Sequence, residues 1–230
     1  MWDGIDSTNG GLQPLIDMKL YNFFRSGTSH RLRIALNLKG LTPEYVAVDL
    51  RVEAHLKDAF KAVNPQQLLP ALALDDGQVL IQSPAIIEWL EEAYPTPPLL
   101  PANALDRARV RALAAIIGCD IHPINNRRIL EALRHRFGAD DAVIRDWCGT
   151  WIGAGFDAYE ALLSGDMARG RFSFGDEPTL ADVYLVAQVE GARRFKVDLS
   201  RWPLIGAIEA TCQQMDAFAR AAPALQPDAG

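Results

Sequence analysis

The sequence has 230 residues, 49% of them hydrophobic, which is enough apolar material for the cores of two ordinary domains. A formal net charge of -6 argues against a surface for nucleic acids or anionic membranes, because such partners need a basic face. The three widely spaced cysteines give no CxxC motif and no metal-like grouping with the four histidines, so we expect no metal and a reduced, cytoplasmic protein.

Residues 1–17 differ from the rest of the chain in lacking a regular apolar pattern. They also lack the basic start and the apolar centre of a signal peptide, and no later apolar run approaches the roughly 20 residues of a membrane span. We expect a disordered extension before Met18, and neither secretion nor a membrane partner.

Residues 18–97 predict an α/β domain. Alternating or β-branched segments indicate strands, and wide apolar stripes indicate helices with a stop signal at Lys39-Gly40. Asp75-Asp76-Gly77-Gln78 predicts a hairpin, and Ser83 followed by Pro84 predicts a capped helix start. In chain order we expect a strand at 19–23, a helix ending at Lys39, a strand at 44–50, a short helix at 53–62, strands at 72–74 and 79–81, and a helix from Ser83 to Ala93. The order βαβ-α-ββα is typical of a thioredoxin-like domain.

Helical periodicity replaces the strand signals after a linker at 98–104. Val110, Leu113 and Ile117 lie on one helix face, and residues 143–163 predict a long helix. Thr179-Leu180-Ala181-Asp182 resembles a capping box that opens a helix running to Val189. We therefore expect an all-helical, all-α domain over 105–223, followed by a tail at 224–230.

The first candidate functional segment is Ser26-Gly27-Thr28, where a predicted strand turns directly into a predicted helix. The free amide groups and the dipole of a helix start favour negative charge, and a hydroxyl there can donate to a thiolate. Each unit by which such contacts lower a thiol pKa represents about 1.4 kcal/mol. The same two hydroxyl residues also fit a purely structural role as helix caps.

Two further segments could bind a peptide. A cis bond at Leu69-Pro70 would turn the backbone of Leu69 outward for pairing with an extended peptide. Gln82-Ser83 offers an amide, a hydroxyl and free backbone N–H groups to a carboxylate, although any Ser-Pro helix start looks similar.

These segments, in this order, resemble the glutathione-binding domain of a glutathione transferase. Residues 24–36 look like the Ser-Ser-Cys region of the zeta class, the maleylacetoacetate isomerases, and the match continues through Asn64-Pro65, Leu69-Pro70, Gln82-Ser83, 86–92 and 95–97. The resemblance covers residues 18–223 and implies the glutathione transferase fold. The family's Ser-Ser-Cys is replaced by Ser26-Gly27-Thr28, so the family cysteine is absent. The resemblance then implies that Thr28 has the role of this cysteine. Together with residues 119–128, this change is most similar to the bacterial maleylpyruvate isomerase branch.

The resemblance implies a glutathione-dependent cis–trans isomerase that acts on maleylpyruvate or maleylacetoacetate in the degradation of aromatic compounds. Reduced glutathione would be a cofactor that adds through its thiolate and is returned unchanged. A homodimer is also implied, with the N-terminal domain of one chain facing the helical domain of the other. The implied catalytic residues are Thr28, Ser26 and Arg25; the implied glutathione-binding residues are Ser26, Gly27, Thr28, His55, Leu69, Pro70, Gln82, Ser83, Asp120, His122, Asn126 and Arg127; and the implied dicarboxylate-binding residues are Arg25, Arg127, Arg128 and Arg194.

The arginines fit such a substrate on physical grounds as well, because a dianion entering an acidic protein needs cationic anchors at both ends. Most arginines, however, only solvate a face, and Arg127 could pair with Glu131 one helical turn on. His55 and His122 could bind carboxylates of glutathione or simply fill partly polar gaps.

Other functions also fit the sequence. A general transferase would conjugate glutathione to apolar electrophiles or dehalogenate small haloacids, and a non-catalytic module of the same fold would only bind partners. A disulfide reductase fits least, because Thr28 stands where such an enzyme needs cysteine. The two maleyl substrates differ by one methylene, worth about 1 kcal/mol in a pocket, so the sequence leaves both open.

Overall fold

The computed structural model describes residues 18–165 and 168–230. The N-terminal half contains a sheet of four strands in the order β2-β1-β3-β4. β1 (Lys19–Asn22) pairs in parallel with β2 (Glu44–Ala47) and antiparallel with β3 (Ala71–Ala73), which continues into β4 (Val79–Ile81). The helices of this half are α1 (Gly27–Leu38), α2 (Asp58–Lys61) and α3 (Ser83–Ala93). A parallel strand pair joined through a helix, beside an antiparallel hairpin, confirms the predicted thioredoxin-like domain.

The second half is helical in its described residues, apart from an isolated bridge between Arg169 and Gly175. None of the described helices is both long and apolar enough to cross a membrane. Its helices are α4 (Ala104–Ala115), which continues into a π turn (Ile116–Ile121) and a 3-10 turn (Pro123–Asn125), α5 (Arg127–Phe137), α6 (Asp141–Gly165), α7 (Leu180–Arg194), α8 (Pro203–Gln213) and α9 (Asp216–Ala219), with 3-10 turns at Leu199–Arg201 and Pro223–Leu225.

The predicted capping box at the start of α7 is present. The buried Asp182 carboxylate accepts hydrogen bonds from the Thr179 N–H at 2.7 Å and the Thr179 hydroxyl at 3.0 Å. It also accepts the Ser173 N–H at 2.8 Å. These bonds satisfy N–H groups that a helix start would leave without partners. The helix that begins here ends at Arg194, beyond the predicted end at Val189.

α1 is the most enclosed helix of the N-terminal half. It packs against α3 in its own half and against α7 and α9 of the second half. All residues from Ser29 to Leu36 are buried, including His30, Arg31 and Arg33. The sequence predicted only an apolar stripe on this helix, because the half that covers its other face lies far along the chain. The predicted stop is confirmed, since Gly40 adopts φ +70° directly after the C-cap Lys39.

His30 gives the fold a predictable acid sensitivity. The side chain is 2% exposed, and both ring nitrogens lack hydrogen-bond partners among the described residues. Burial, and then the charge of Arg33, lower the pKa of His30 from 6.5 to about 3. Between these two values the unfolded chain binds the proton and the folded chain does not, so stability falls as the pH falls.

We expect the free energy of unfolding to fall through this group by about 1.4 kcal/mol for each pH unit below 6.5. His30→Leu removes this contribution, so the difference in stability between variant and wild type should shift steadily in favour of the variant from pH 6.5 to pH 4.5. Urea unfolding at fixed protein concentration across this range measures the difference. A difference that does not change with pH would show that His30 binds a proton as readily in the folded protein as in the unfolded chain.

Three local predictions from the sequence were wrong. β2 ends at Ala47 and not at residue 50, because the Asp49 carboxylate accepts the Arg51 N–H at 2.7 Å and turns the chain. Residues 53–62 are not one helix: 3-10 turns at Leu50–Val52 and Ala54–Leu56 precede α2, with Glu53 in the left-handed region between them. The N-cap of α3 is Gln82, and Ser83 already belongs to the helix.

A buried ion pair holds the junction between the halves. Lys39 Nζ donates to Glu91 Oε2 at 2.6 Å and to the Pro97 carbonyl at 2.6 Å. Glu91 also accepts the N–H groups of Leu99 at 2.9 Å and Leu100 at 3.1 Å. Bonds from several segments compensate the cost of burying both charges. The predicted linker is thereby fixed against α1 and α3, and the two halves share one hydrophobic core.

Candidate active site

A chain of hydrogen bonds runs through the hydroxyl groups at the start of α1. The Ser29 N–H donates to Ser26 Oγ at 3.2 Å, which makes Ser26 the N-cap. The Ser26 and Thr28 hydroxyls are 2.8 Å apart, and the Thr28 hydroxyl donates to the Leu69 carbonyl at 2.9 Å. Because Thr28 gives its single proton to Leu69, Ser26 is the donor to Thr28. A thiolate bound here would therefore accept a proton that now has another partner.

A narrow cleft opens beside Thr28, between the two halves of the molecule. The bond before Pro70 is cis. The cleft has a volume of about 110 Å³, less than the roughly 300 Å³ of a typical small-molecule pocket, so a tripeptide would extend along its open side. Predicted site residues that line it are Thr28, Leu69, Pro70, Gln82, Ser83, His122, Asn126 and Arg128.

The start of α3 presents an unsatisfied hydroxyl to this cleft. Ser83 is 1% exposed, and its Oγ has no hydrogen-bond partner among the described residues. Gln82 before it has φ +66°, a conformation that costs a non-glycine residue about 1–3 kcal/mol and tends to occur at functional sites. An orphan hydroxyl beside the N–H groups of a helix start fits a bound carboxylate.

His122 faces the cleft at the end of the π turn. Its N–H bonds to the Ile117 carbonyl at 2.9 Å, five residues back, so the helix widens here, as it often does at functional sites. Nε2 is enclosed and has no partner in the described part of the chain. Burial, and then the charges of Arg31 and Arg194, lower the pKa of His122 to about 3. His122 is therefore neutral at pH 7 and offers a hydrogen bond, not a positive charge.

Arg31 is a cleft residue that was not predicted from the sequence. This side chain is 2% exposed and lines the cleft together with Thr28, three residues before it on α1. Its guanidinium lies 4.3 Å from the ring centre of Tyr184 on α7, and a Cβ at Gly118 would come within 2.8 Å of the same ring. The i, i+3 spacing from Thr28 was the signal that could have found it, because such residues share a helix face.

Arg31 is a buried charge without a counter-charge. Its Nε has no hydrogen-bond partner, and no carboxylate pairs with it within 18–165 and 168–230. Burial is the main cause that lowers the pKa of Arg31. Because buried charges in proteins are normally paired, Arg31 is suited to an anion that enters the cleft.

Arg25 and Arg194 approach each other from the two halves. Arg25 lies in the turn after β1 with its guanidinium 5.2 Å from the ring centre of Phe24, and Arg194 ends α7 with its guanidinium 4.7 Å from that of Phe195. Desolvation, and then the positive charge of Arg25, lower the pKa of Arg194. Neither arginine forms an ion pair with another described residue. Two neighbouring cations without a carboxylate favour an anionic ligand.

Arg127 is already engaged within the protein. Its Nε pairs with Glu131 at 2.5 Å, and its guanidinium also donates to the carbonyl of Leu50. This is the structural alternative that the sequence left open for Arg127. Burial, and then the charge of Arg127, lower the pKa of the neighbouring His55, whose Nδ1 has no partner in the described structure.

Gly27, Asn126 and Asp120 differ in how close they come to the cleft. A Cβ at Gly27 would be 3.6 Å from the His122 ring, which places the turn directly against this histidine. Asn126 caps α5 by accepting the Arg128 N–H at 3.2 Å. Asp120 is exposed and does not line the cleft.

A larger open groove of about 760 Å³ lies along α6 and residues 195–201. It contains none of the predicted site residues. The chemistry of the lining, and not the size of the cavity, therefore identifies the site.

Comparisons with known proteins show the family of this chain. Residues 25–93 match the family model described as the N-terminal domain of glutathione S-transferase. The chain is 76% identical over 212 residues to a maleylpyruvate isomerase of a Ralstonia species, an alignment that covers 92% of this chain and 99% of the relative.

Two solved structures are similar to the whole described fold. One is a holo structure of a maleylpyruvate isomerase, a bacterial zeta-class glutathione transferase, with 74% identity, a TM-score of 0.91, and 92% and 100% of the two chains covered. The other is a maleylacetoacetate isomerase of Methylobacterium extorquens AM1 with bound malonate and glutathione, with 37% identity, a TM-score of 0.89, and 92% and 99% covered. This chain belongs to the zeta class of glutathione transferases, the family of the maleylacetoacetate isomerases.

Proposed function

We propose that this protein is a glutathione-dependent maleylpyruvate isomerase, with maleylacetoacetate as the closest alternative substrate. The observation that carries the proposal is a cleft lined by the Thr28 hydroxyl, the orphan Ser83 hydroxyl and the unpaired Arg31. Arg25 and Arg194 are outside its lining and form a second pair of cations without carboxylate partners. The donors suit the anionic groups of glutathione, and the cations suit a dicarboxylate. The identity of 76% to a maleylpyruvate isomerase favours that substrate over its homologue with one more methylene.

Bound glutathione supplies a thiolate that adds reversibly to the cis double bond, so that the bond can rotate before the thiolate leaves. We assign the hydroxyls of Thr28 and Ser26 to donate to this sulfur. Ser83 and Gln82 bind a carboxylate of the cofactor at the start of α3, and the backbone of Leu69 pairs with its peptide groups. The neutral His122 adds a hydrogen bond. Arg31 contributes positive charge beside Thr28, which favours the thiolate over the thiol.

Arg25 and Arg194 are assigned to the substrate carboxylates. Their position at the junction of the halves leaves both guanidinium groups available to a dianion, whereas Arg127 is paired with Glu131. We therefore assign Arg127 to the contact between the two halves, where its guanidinium donates to the Leu50 carbonyl, and Arg128 to the rim of the cleft. Binding a dianion between two cations offsets their mutual repulsion, and bidentate contacts fix its orientation.

We also propose a homodimer in the cytoplasm. Large apolar side chains are exposed on the N-terminal half at Val52, Leu56 and Val79, which fits a face covered by another copy. Sedimentation equilibrium would give the molar mass in solution, and a value equal to that of one chain would reject the dimer.

The central test is an assay of cis–trans isomerisation on both maleyl substrates, with and without reduced glutathione. We expect activity on at least maleylpyruvate that requires glutathione and leaves its concentration unchanged over many turnovers. Activity without glutathione would reject the mechanism. Consumption of glutathione into a stable conjugate would instead identify a general transferase.

Two variants test the assignment of Arg194 in this assay. Arg194→Met should lower kcat/KM for the dicarboxylate by roughly tenfold or more, because a hydrogen-bonded charge contributes about 1.5–3 kcal/mol. Arg109→Met is the control, since Arg109 is an exposed residue of α4 that pairs with Asp106. An equal effect of both substitutions would contradict the assignment of Arg194.

A further inference from the structure

Asp228 connects the segment 224–230 to the turn that carries Arg25. Its Oδ2 accepts the Phe24 N–H at 3.0 Å, and its Oδ1 accepts the hydroxyl of Tyr45 on β2. The sequence predicted only a tail here. These contacts join residues about 200 positions apart and dock that tail on the N-terminal half.

The other side of the same turn is held by Arg33. Its guanidinium donates to the Phe24 carbonyl at 3.0 Å, to Asn22 Oδ1 at 2.9 Å and to the Ala221 carbonyl at 3.1 Å. The peptide groups of Phe24 are therefore held at the N–H by Asp228 and at the carbonyl by Arg33. Both bonds involve charged groups, which makes them stronger than bonds between neutral groups.

Phe24 in turn supports Arg25. The Phe24 ring is buried and has the guanidinium of Arg25 at 5.2 Å and that of Arg51 at 5.6 Å from its centre. A shift of the Phe24 backbone would thus move both the peptide bond that leads into Arg25 and the ring on which Arg25 rests.

We propose that Asp228 is a positioning residue for substrate binding, which acts by fixing Phe24 so that Arg25 is directed to a carboxylate of the dicarboxylate substrate. This inference rests on the proposed function, in which Arg25 is a substrate anchor. The hydrogen bonds of the Asp228 carboxylate go to Phe24 and Tyr45 and none goes to Arg25, so Asp228 fixes the turn without occupying the Arg25 guanidinium.

The test compares the KM for the dicarboxylate in Asp228→Ala, Asp228→Asn and wild type at saturating glutathione. We expect Asp228→Ala to raise this KM by about fivefold while kcat and the KM for glutathione stay within about twofold. Asp228→Asn should return the KM to within about twofold of wild type, because its amide oxygen still accepts the Phe24 N–H. Asp216→Asn removes an exposed charge of α9 that pairs with Arg220 and should change nothing.

A double-mutant cycle with Arg25→Met separates positioning from a general loss of structure. If Asp228 acts through Arg25, Asp228→Ala should raise the KM by less than about twofold in the Arg25→Met background. A merely destabilised fold would lower the amount of active enzyme, and hence kcat, without this dependence on Arg25.

The outcomes distinguish a failure of the inference for Asp228 from a failure of the proposed function. Two results would overturn the role of Asp228 and leave the proposed function intact. In the first, Asp228→Ala raises the KM equally in both backgrounds. In the second, Asp228→Ala does not raise the KM although Arg25→Met has a clear effect. No effect of Arg25→Met itself would remove Arg25 as a substrate anchor, and the inference for Asp228 with it.

Discussion

Replacing Thr28 by valine should lower kcat/KM at pH 7 by about 100-fold, because the substitution keeps the branched shape of the side chain and removes its hydroxyl. In the wild type this hydroxyl donates to the Leu69 carbonyl and is the only side-chain proton of residue 28 that a thiolate could accept. Without it we expect the pKa of the bound glutathione thiol to rise by about one to two units, at about 1.4 kcal/mol per unit.

The measurement is the ultraviolet absorbance of the bound thiolate as a function of pH, alongside the rate of isomerisation. Thr28→Ser is the matched control, because it keeps a hydroxyl at the same position and should stay within about fivefold of wild type. A Thr28→Val enzyme with the wild-type thiol pKa would refute the role of this hydroxyl.

Substitution of Ser26 tests which of the two hydroxyls has the main role. Its hydroxyl now donates to Thr28, so in Thr28→Val it loses that acceptor and can turn to the sulfur. We therefore expect Ser26→Ala alone to have a smaller effect than Thr28→Val, and the double variant to be the least active. The reverse order would transfer the main role to Ser26.

Local chemistry made much of this site predictable from the sequence. The Ser26-Gly27-Thr28 turn and the capping box at Thr179 follow from rules that operate within a few residues. The order of strands and helices was confirmed for the same reason, since apolar periodicity and turn residues are local signals.

Features that depend on distant segments were not predictable. The spacing of Arg31 from Thr28 is visible in the sequence, but its burial is not, because that burial depends on Tyr184 of α7. The sequence of the π turn at Ile116–Ile121 fits an ordinary α-helix, and the segments it packs against, α6 and α7, lie further along the chain. Arg127 was an open case, because its pairing with Glu131 and its use by a ligand require the same guanidinium.

Arg31→Met should have opposite effects on stability and on catalysis, and this contrast is the strongest test of the electrostatic part of the mechanism. A buried charge that lacks a counter-charge destabilises the folded state. Replacing even a buried ion pair by apolar residues of similar volume is often neutral or stabilising by about 1–4 kcal/mol, and an unpaired charge has no attraction to a partner to lose. The function of the cleft offers a reason for keeping the charge of Arg31, since bound glutathione supplies the anion that the protein itself lacks there.

We expect the free energy of unfolding of Arg31→Met to equal or exceed that of the wild type by about 1–2 kcal/mol. The pKa of the bound thiol should rise by about one unit and kcat/KM at pH 7 should fall by about tenfold, because a positive charge near the sulfur has been removed. Urea unfolding at fixed protein concentration and titration of the thiolate absorbance give the two quantities. Arg31→Lys retains the charge and should recover part of the activity.

Arg33→Met is the matched comparison, because Arg33 is also a buried arginine of α1 but donates hydrogen bonds to Asn22, Phe24 and Ala221. Removing it leaves buried acceptors without partners, so its loss should destabilise the protein by about 2–4 kcal/mol. If Arg31→Met instead lost stability as Arg33→Met does, with an unchanged thiol pKa, Arg31 would be a structural residue. A gain in stability together with a weaker thiolate is the result that only a charge reserved for a bound anion explains.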